Sequence, residues 1–324
     1  MTFDDHEYPQ TLDDLATSHI AESAGVYAPL ISAVHYLIGT TTDPNKLKKL
    51  FATDLVSKDF IHKLAARLLT ALHSADALGR SYVIRKDKFY SDQKKVISAK
   101  FKFGKYSVRA DGIKWIVADD KPNVQISFNL TPELALQYFQ EKAFWISGIE
   151  NQRFIDAVKG ELEKVLSDGL TYEQFADAFK QFFVDYGVTP ENTIRLDTIF
   201  RTNLFSAYTA GQLQQVDEVK ESFPVWRYLS IIDNRTHPSH AALNDQYFRQ
   251  GPYPPIWYNC RCTPQFIHSL QLAQLGDIDV HDTIYELIDS AEVIDFQGTA
   301  GFDQWISDNP VSSGIKTVVE DGLK

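Results

Sequence analysis

From about Leu12 to Gly79 apolar residues recur three and four positions apart, and Phe60, Leu64, Leu68 and Leu72 form one face with Ile61 and Leu69 beside it. That period predicts helices with one buried side. The most apolar stretch, Val26 to Ile38, is about half the ~20 residues needed to span a bilayer and contains His35, so a buried helix is expected there. Thr40 to Lys46, TTTDPNK, is a turn and helix start. After Gly79 the pattern changes to alternation: Lys100 to Phe103, Lys105 to Arg109 around Gly104, then Ile113, Trp115, Val117, and later Val124, Ile126, Phe128. Period two predicts strands, as a β meander or an extended arm.

Helical spacing returns with Leu130-Thr131-Pro132-Glu133, where Thr131 caps and Pro132 occupies the first helical position. Phe154, Ala157, Val158, Leu162 and Val165 make a stripe that stops at Asp168-Gly169. Thr171 opens another helix, whose aromatic face of Phe175, Phe179, Phe182 and Phe183 ends at Gly187. A further helix, about Thr193 to Val219, carries Arg195, Arg201 and Asn203 among Ser206, Ala207, Ala210 and Gly211, small residues that let another backbone approach. Asp197 lies one turn from Arg201, close enough to pair with it. Pro224 breaks this helix. Val225 to Ile232 then reads as a strand, followed by a polar turn at Asp233 to Thr236, a short helix from His237, short strands near Gln246–Phe248 and Pro264–Ile267, a helix at His281 to Ala291 and a mobile end at SSGIKTVVEDGLK. The expected fold class is α+β, mostly helical, with a basic β-rich insertion and a small C-terminal sheet beside the helices.

Composition narrows the function classes. A chain of 324 residues that is 44% hydrophobic can bury a sizeable core. The acidic start, MTFDDHEYPQTLDD, has neither the basic residues nor the apolar run of a signal peptide, and nothing suggests a membrane partner. Two cysteines spaced Cys-x-Cys suit a reduced, intracellular protein. The net charge of -11 argues against wrapping nucleic acid over the whole surface. Between Arg80 and Arg109, however, ten Lys or Arg stand against only Asp87 and Asp92. Arg85, Lys86, Lys88, Lys94, Lys95, Lys100, Lys102 and Lys105, interleaved with aromatics, could contact the phosphates of double-stranded DNA; an amphipathic sheet with a basic outer face explains the same pattern.

The chemically capable side chains gather between Trp226 and Cys262: both cysteines, Cys260 and Cys262, with His237, His240 and Asp233. One reading is zinc, held by His240, Cys260 and Cys262 with Asp233 or His237 as a fourth ligand. Spacing counts against it, since residues two apart on a strand lie ~6.5 Å apart and only a turn would aim both thiolates at one ion. A second reading is a hydrogen-bonded polar knot, with Asp233 accepting from His240 or from the Arg235-Thr236 turn, Arg261 paired with an acid, and the cysteines filling small apolar spaces. The third is catalysis by an Asp, His and Cys set or by a zinc-bound water. The His-x-Glu and Cys-x-x-Cys of zinc deaminases are absent, and so is any glycine-rich phosphate loop.

The same residues carry a resemblance. Asp233-x-Arg235-Thr236-x-x-x-His240 and Trp257-x-Asn259-Cys260-Arg261-Cys262, preceded by a helix with Arg201-Thr202-Asn203 and Ala207-Tyr208-x-Ala210-Gly211, resemble the Mu F-like family of minor head proteins of tailed phages. The likeness extends back to about Thr131 and so covers roughly half the chain. It implies a virion component in the head interior, made in the host cytoplasm, associated with the portal and other head proteins and in contact with packaged DNA. It implies no catalytic residue. An enzyme delivered with the DNA, such as a zinc-dependent hydrolase, is the alternative. The organisation expected is a helical region at 1–79, the basic insertion at 80–130, a Mu F-like domain at 131–270 and an acidic tail at 271–324.

Overall fold

The computed structural model describes residues 5, 7–41, 43–91, 106–107, 116–117, 133–167, 172–294 and 299–324. Three helices open the chain: α1 at Glu7–Thr40, α2 at Pro44–Asp54 and α3 at Lys58–Ser91. Asp43 starts α2 by accepting from the amides of Asn45 and Lys46, with Pro44 in the first turn. The change of pattern at Gly79 does not end α3. Tyr82, Val83 and Tyr90 continue its buried face for another three turns, so residues 80–91 are helix. Two short strands follow, β1 at Tyr106–Ser107 and β2 at Ile116–Val117, paired antiparallel with Tyr106 opposite Val117. They fall where alternation predicted strands; the other expected strands, and the Thr131 cap, lie outside the described residues.

The helices α4 at Glu133–Ser167, α5 at Tyr172–Asp185 and α6 at Ile194–Glu218 come next. Gly187, at φ +78°, closes the turn between α5 and α6. The remainder holds β3 at Val225–Leu229, α7 at Pro238–Leu243, β4 at Tyr247–Phe248, β5 at Thr263–Ile267, α8 at Ser269–Leu275, β6 at Val280–His281, α9 at Thr299–Asp308 and α10 at Ser313–Gly322. Four of these strands form one mixed sheet in the order β5-β3-β4-β6. The mostly helical α+β class expected from the periodicity is therefore what the chain adopts. No helix of the described residues is long and apolar enough to cross a membrane.

The chain divides into two compact units. One takes residues 16–71, 136–200 and 298–324. Its centre is aromatic: Tyr27 meets Phe60 at 4.8 Å and Phe154 at 6.0 Å, and Phe154 stacks on Phe183 at 5.8 Å. Buried Asn151 bonds both sides of the loop after α2, donating to the Leu55 carbonyl (3.0 Å) and accepting from the Ser57 amide (3.1 Å). The C-terminal segment expected to be mobile is instead α10, whose Ile315 and Val319 are fully buried and pack over Gly148. Apolar residues four apart give that short helix a face worth burying.

The other unit takes residues 1–15, 72–135 and 201–297. Here α3 and α6 touch through glycines: a Cβ on Gly79 would stand 2.0 Å from the Tyr208 carbonyl oxygen, and one on Gly211 would stand 2.2 Å from that of Asp76. The small residues of α6 thus serve the close approach their size predicted. In the sheet, β3 pairs antiparallel with β5, Trp226 opposite Phe266 and Tyr228 opposite Pro264. The proline sits on an edge strand, where its missing N–H breaks no ladder. Trp226 is buried against Phe248 (4.8 Å) and Tyr253 (5.1 Å). Strand β3 stops at Leu229, short of the expected Ile232, because the Ser230 amide donates to the Asn244 side chain instead of a neighbouring strand. The helix expected at His281 to Ala291 is replaced by β6 and two 3₁₀ turns, Ile284–Glu286 and Ser290–Glu292. Val280 and His281 pair in parallel with β4, and the Glu286 carboxylate takes the Asp282 amide at 2.8 Å, so the first turn of a helix is diverted into the sheet.

Candidate functional site

The polar turn after β3 folds on itself. Asp233 Oδ1 accepts from the Arg235 amide at 2.9 Å, the Thr236 amide donates to the Asp233 carbonyl at 3.1 Å, and Thr236 Oγ1 takes the Asp233 amide while donating to the Ile231 carbonyl. This is the local bonding Asp and Thr offer at turns. Pro238 then starts α7, which carries His240 inward; His237 stays exposed, its Nδ1 against Ser239 Oγ at 2.7 Å.

On the other side, the proline-rich loop is fixed by Thr209 of α6, which donates to the Pro254 carbonyl at 2.7 Å. Asn259 follows at φ +57°, a conformation Asn tolerates better than most residues, and its amide donates to Thr202 Oγ1 of α6 at 2.8 Å. The turn bends the chain before β5, so Cys260 and Cys262 are not two residues of one strand. Their sulfurs turn toward the same point.

Two clusters result. In the first, Asp13 and Asp233 face three arginines. Arg261 Nη2 donates to Asp233 Oδ1 at 2.5 Å, with its Nη1 3.9 Å from Asp13. Arg201, buried, donates to Asp13, and the half-exposed Arg235 lies 3.8 Å from Asp13 and 3.7 Å from Asp233. The hydrogen bond from Arg261 holds the Asp233 carboxyl well below the usual carboxylate range. Burial works against the charge of Arg261, but its bond to Asp233 and the charge of Asp13 outweigh that and raise its pKa.

In the second cluster, His240, Cys260 and Cys262 are all buried and offer ligand atoms within 4.8 Å of one another. His240 Nδ1 is 3.4 Å from Cys260 Sγ and 3.9 Å from Cys262 Sγ, and the Cys262 amide points at Cys260 Sγ from 3.5 Å. Ser230 Oγ lies 3.4 Å from Cys262 Sγ, and the Tyr228 hydroxyl is buried against both thiols. Burial raises the Cys262 thiol, and its bond to Cys260 raises it further; burial also disfavours a Cys260 thiolate, but hydrogen bonds from Cys262 and His240 win and lower that thiol.

The fold thus brings together most of the residues singled out from the sequence. Asp233 does not join His240 and the cysteines, because its carboxylate is committed to Arg261 and to its own turn. Asn203 sits half-buried on α6. Asp13, Ser230 and Tyr228 were not anticipated. Asp13 lies between Leu12 and Leu15 on the buried side of α1, where a carboxylate demands a cation; Ser230 and Tyr228 carry no local signal.

The basic residues expected between Arg80 and Lys105 divide, those up to Lys88 lying on α3. Lys86 cannot serve as a phosphate contact, since it is fully buried with its ammonium 2.7 Å from Asp5, and burial, partly offset by Asp5, lowers its pKa to about 8. Arg80 is likewise buried, paired with Asp76 at 2.8 Å. Arg85 is half-buried and donates to the Tyr8 hydroxyl, whereas Lys88 is exposed. Lys94, Lys95, Lys100, Lys102 and Lys105 lie outside the described residues.

Residues 156–265, which contain both clusters except Asp13, match the family model for Phage Mu protein F like protein. This segment of the chain is similar to that family. The putative capsid assembly protein F of Escherichia phage Mu is 30% identical over 157 residues, 42% of this chain and 36% of that protein. A Mu-like prophage FluMu F protein of Haemophilus influenzae is 27% identical over 159 residues, 44% of this chain and 38% of that protein. The matched stretch thus spans little more than a third of either relative. No solved structure matches the chain. Among the residues that carried the resemblance in the sequence, Arg261 bonds the loop before β5 to Asp233 in the turn after β3, and Thr202 bonds that loop to α6.

Proposed function

We propose that this chain is a structural component of a tailed-phage head, acting in head morphogenesis. The observation that carries the proposal is the Mu F-like match over 156–265 together with the name of a relative, a capsid assembly protein. The geometry is in keeping with a structural role: the motif residues are spent on bonds that fix backbone turns, with Asp233 and Arg261 bonded to each other and Thr202 to the Asn259 amide. In this reading the protein is a minor component of the head interior, contacts the portal, and meets packaged DNA through Lys88 and the lysines at 94, 95, 100, 102 and 105. Counterion release from phosphates would drive that contact.

Deleting the gene from its phage or prophage and viewing the lysate by electron microscopy tests this. Few normal heads are expected, with recovery when the intact chain is supplied. Normal numbers of infectious heads without it would sink the proposal. A chain carrying glutamine at those six lysines should restore heads but lower their DNA content; restored DNA content would remove the DNA contact from the account.

A further inference from the structure

We infer that His240, Cys260 and Cys262 form a structural zinc site. Zinc in structural sites takes four ligands in a tetrahedron, with sulfur at about 2.3 Å and nitrogen at about 2.0–2.1 Å, which sets the nitrogen–sulfur edges near 3.6 Å. The Nδ1–Sγ distances of 3.4 and 3.9 Å bracket that edge. The difficulty of Cys-x-Cys spacing disappears because both cysteines precede β5, outside any strand, and their sulfurs lie with the His240 nitrogen within 4.8 Å of one another.

The chemistry of the donors points the same way. Two soft sulfurs and an imidazole suit zinc better than the hard, oxygen-seeking magnesium or calcium. The amide of Cys262 directed at Cys260 Sγ would stabilise a thiolate there. A second observation concerns the oxygens. The Tyr228 hydroxyl is fully buried and faces the two cysteine sulfurs, weak partners for a hydroxyl. A buried hydroxyl left with weak partners is costly. An ion between the sulfurs would take its fourth ligand from water or from a neighbouring oxygen; Ser230 Oγ, which donates to the His240 carbonyl at 2.9 Å, lies 3.4 Å from Cys262 Sγ.

Binding releases to solvent whatever proton each thiol still carries and changes no oxidation state. Every protein ligand is at least nine-tenths buried, which suits a staple and leaves little room for a substrate at the ion: His240 is 6% exposed, Cys260 5% and Cys262 3%. The ion would tie α7, through His240, to the loop before β5, through Cys260 and Cys262. The inference does not depend on a role in the phage head.

The test uses the full-length chain without an affinity tag, purified under reducing conditions and dialysed against zinc and then buffer. Elemental analysis should find about one zinc per chain, lost in the Cys260→Ser/Cys262→Ser variant. Because that variant can fail to fold, the unaltered chain is also stripped and loaded with cobalt(II). Thiolate-to-cobalt charge-transfer absorption should appear and be abolished by one equivalent of zinc. A metal-free unaltered chain, zinc retained in the double variant, stoichiometric copper or iron in its place, or cobalt without a thiolate band would each overturn the site.

Discussion

Asp13 is the residue on which the arginine cluster depends. It is 7% exposed and faces Arg201, buried at 4%, and Arg261, buried at 7%. Removing one member of a buried ion pair leaves a charge without water or counter-ion, typically a loss of about 3–5 kcal/mol. Asp13→Ala is therefore expected to lower stability by about that amount, read as a fall in the urea midpoint at unchanged slope. A change under about 1 kcal/mol would mean that Asp233 alone neutralises the arginines. The turn residues Asp233, Arg235 and Thr236 were legible in the sequence because their bonding is local. Asp13 was not, because its partners stand some 190 to 250 positions away, and no period in a helix reveals what a distant segment will bring.

At the scale of elements, the packing of α3 on α6 rests on glycine. Gly211→Ala would push a methyl against the Asp76 carbonyl oxygen, backbone against which no rotamer can relax. It is expected to destabilise by roughly 2 kcal/mol or more, against the gain of a few tenths to one that alanine brings to an isolated helix. Gly160→Ala is the control, since a Cβ there meets nothing within 4 Å; thermal unfolding of both variants separates packing from propensity. The helices themselves were readable from apolar spacing, and α6 lies within a residue of its expected bounds. Errors came where side chains or sheet edges overrode the period. Helix α3 outran Gly79 because a single glycine does not stop a helix whose apolar face continues. Residues 280–286 left the helical state because β4 offered an edge and Glu286 an acceptor.

For the whole molecule, the segment 156–265 carries the family match, and its motif residues Asp233, Arg261, Thr202 and Asn259 are bonded to one another in pairs. Sequence reasoning found that signature without structure, since its motif is dense in rare residue types. It could not decide between a polar knot and a metal site. That choice turns on where two sulfurs and a ring nitrogen meet, which sequence spacing does not give; the three ligand atoms lie within 4.8 Å of one another. The most direct test of a head role is quantitative mass spectrometry of gradient-purified particles, with DNA-filled and DNA-free heads measured separately against the major capsid protein. A head component should be present in both fractions at a fixed ratio, far below the capsid protein and resistant to protease added outside. Absence from both fractions, or loss on protease treatment of intact heads, would contradict the account.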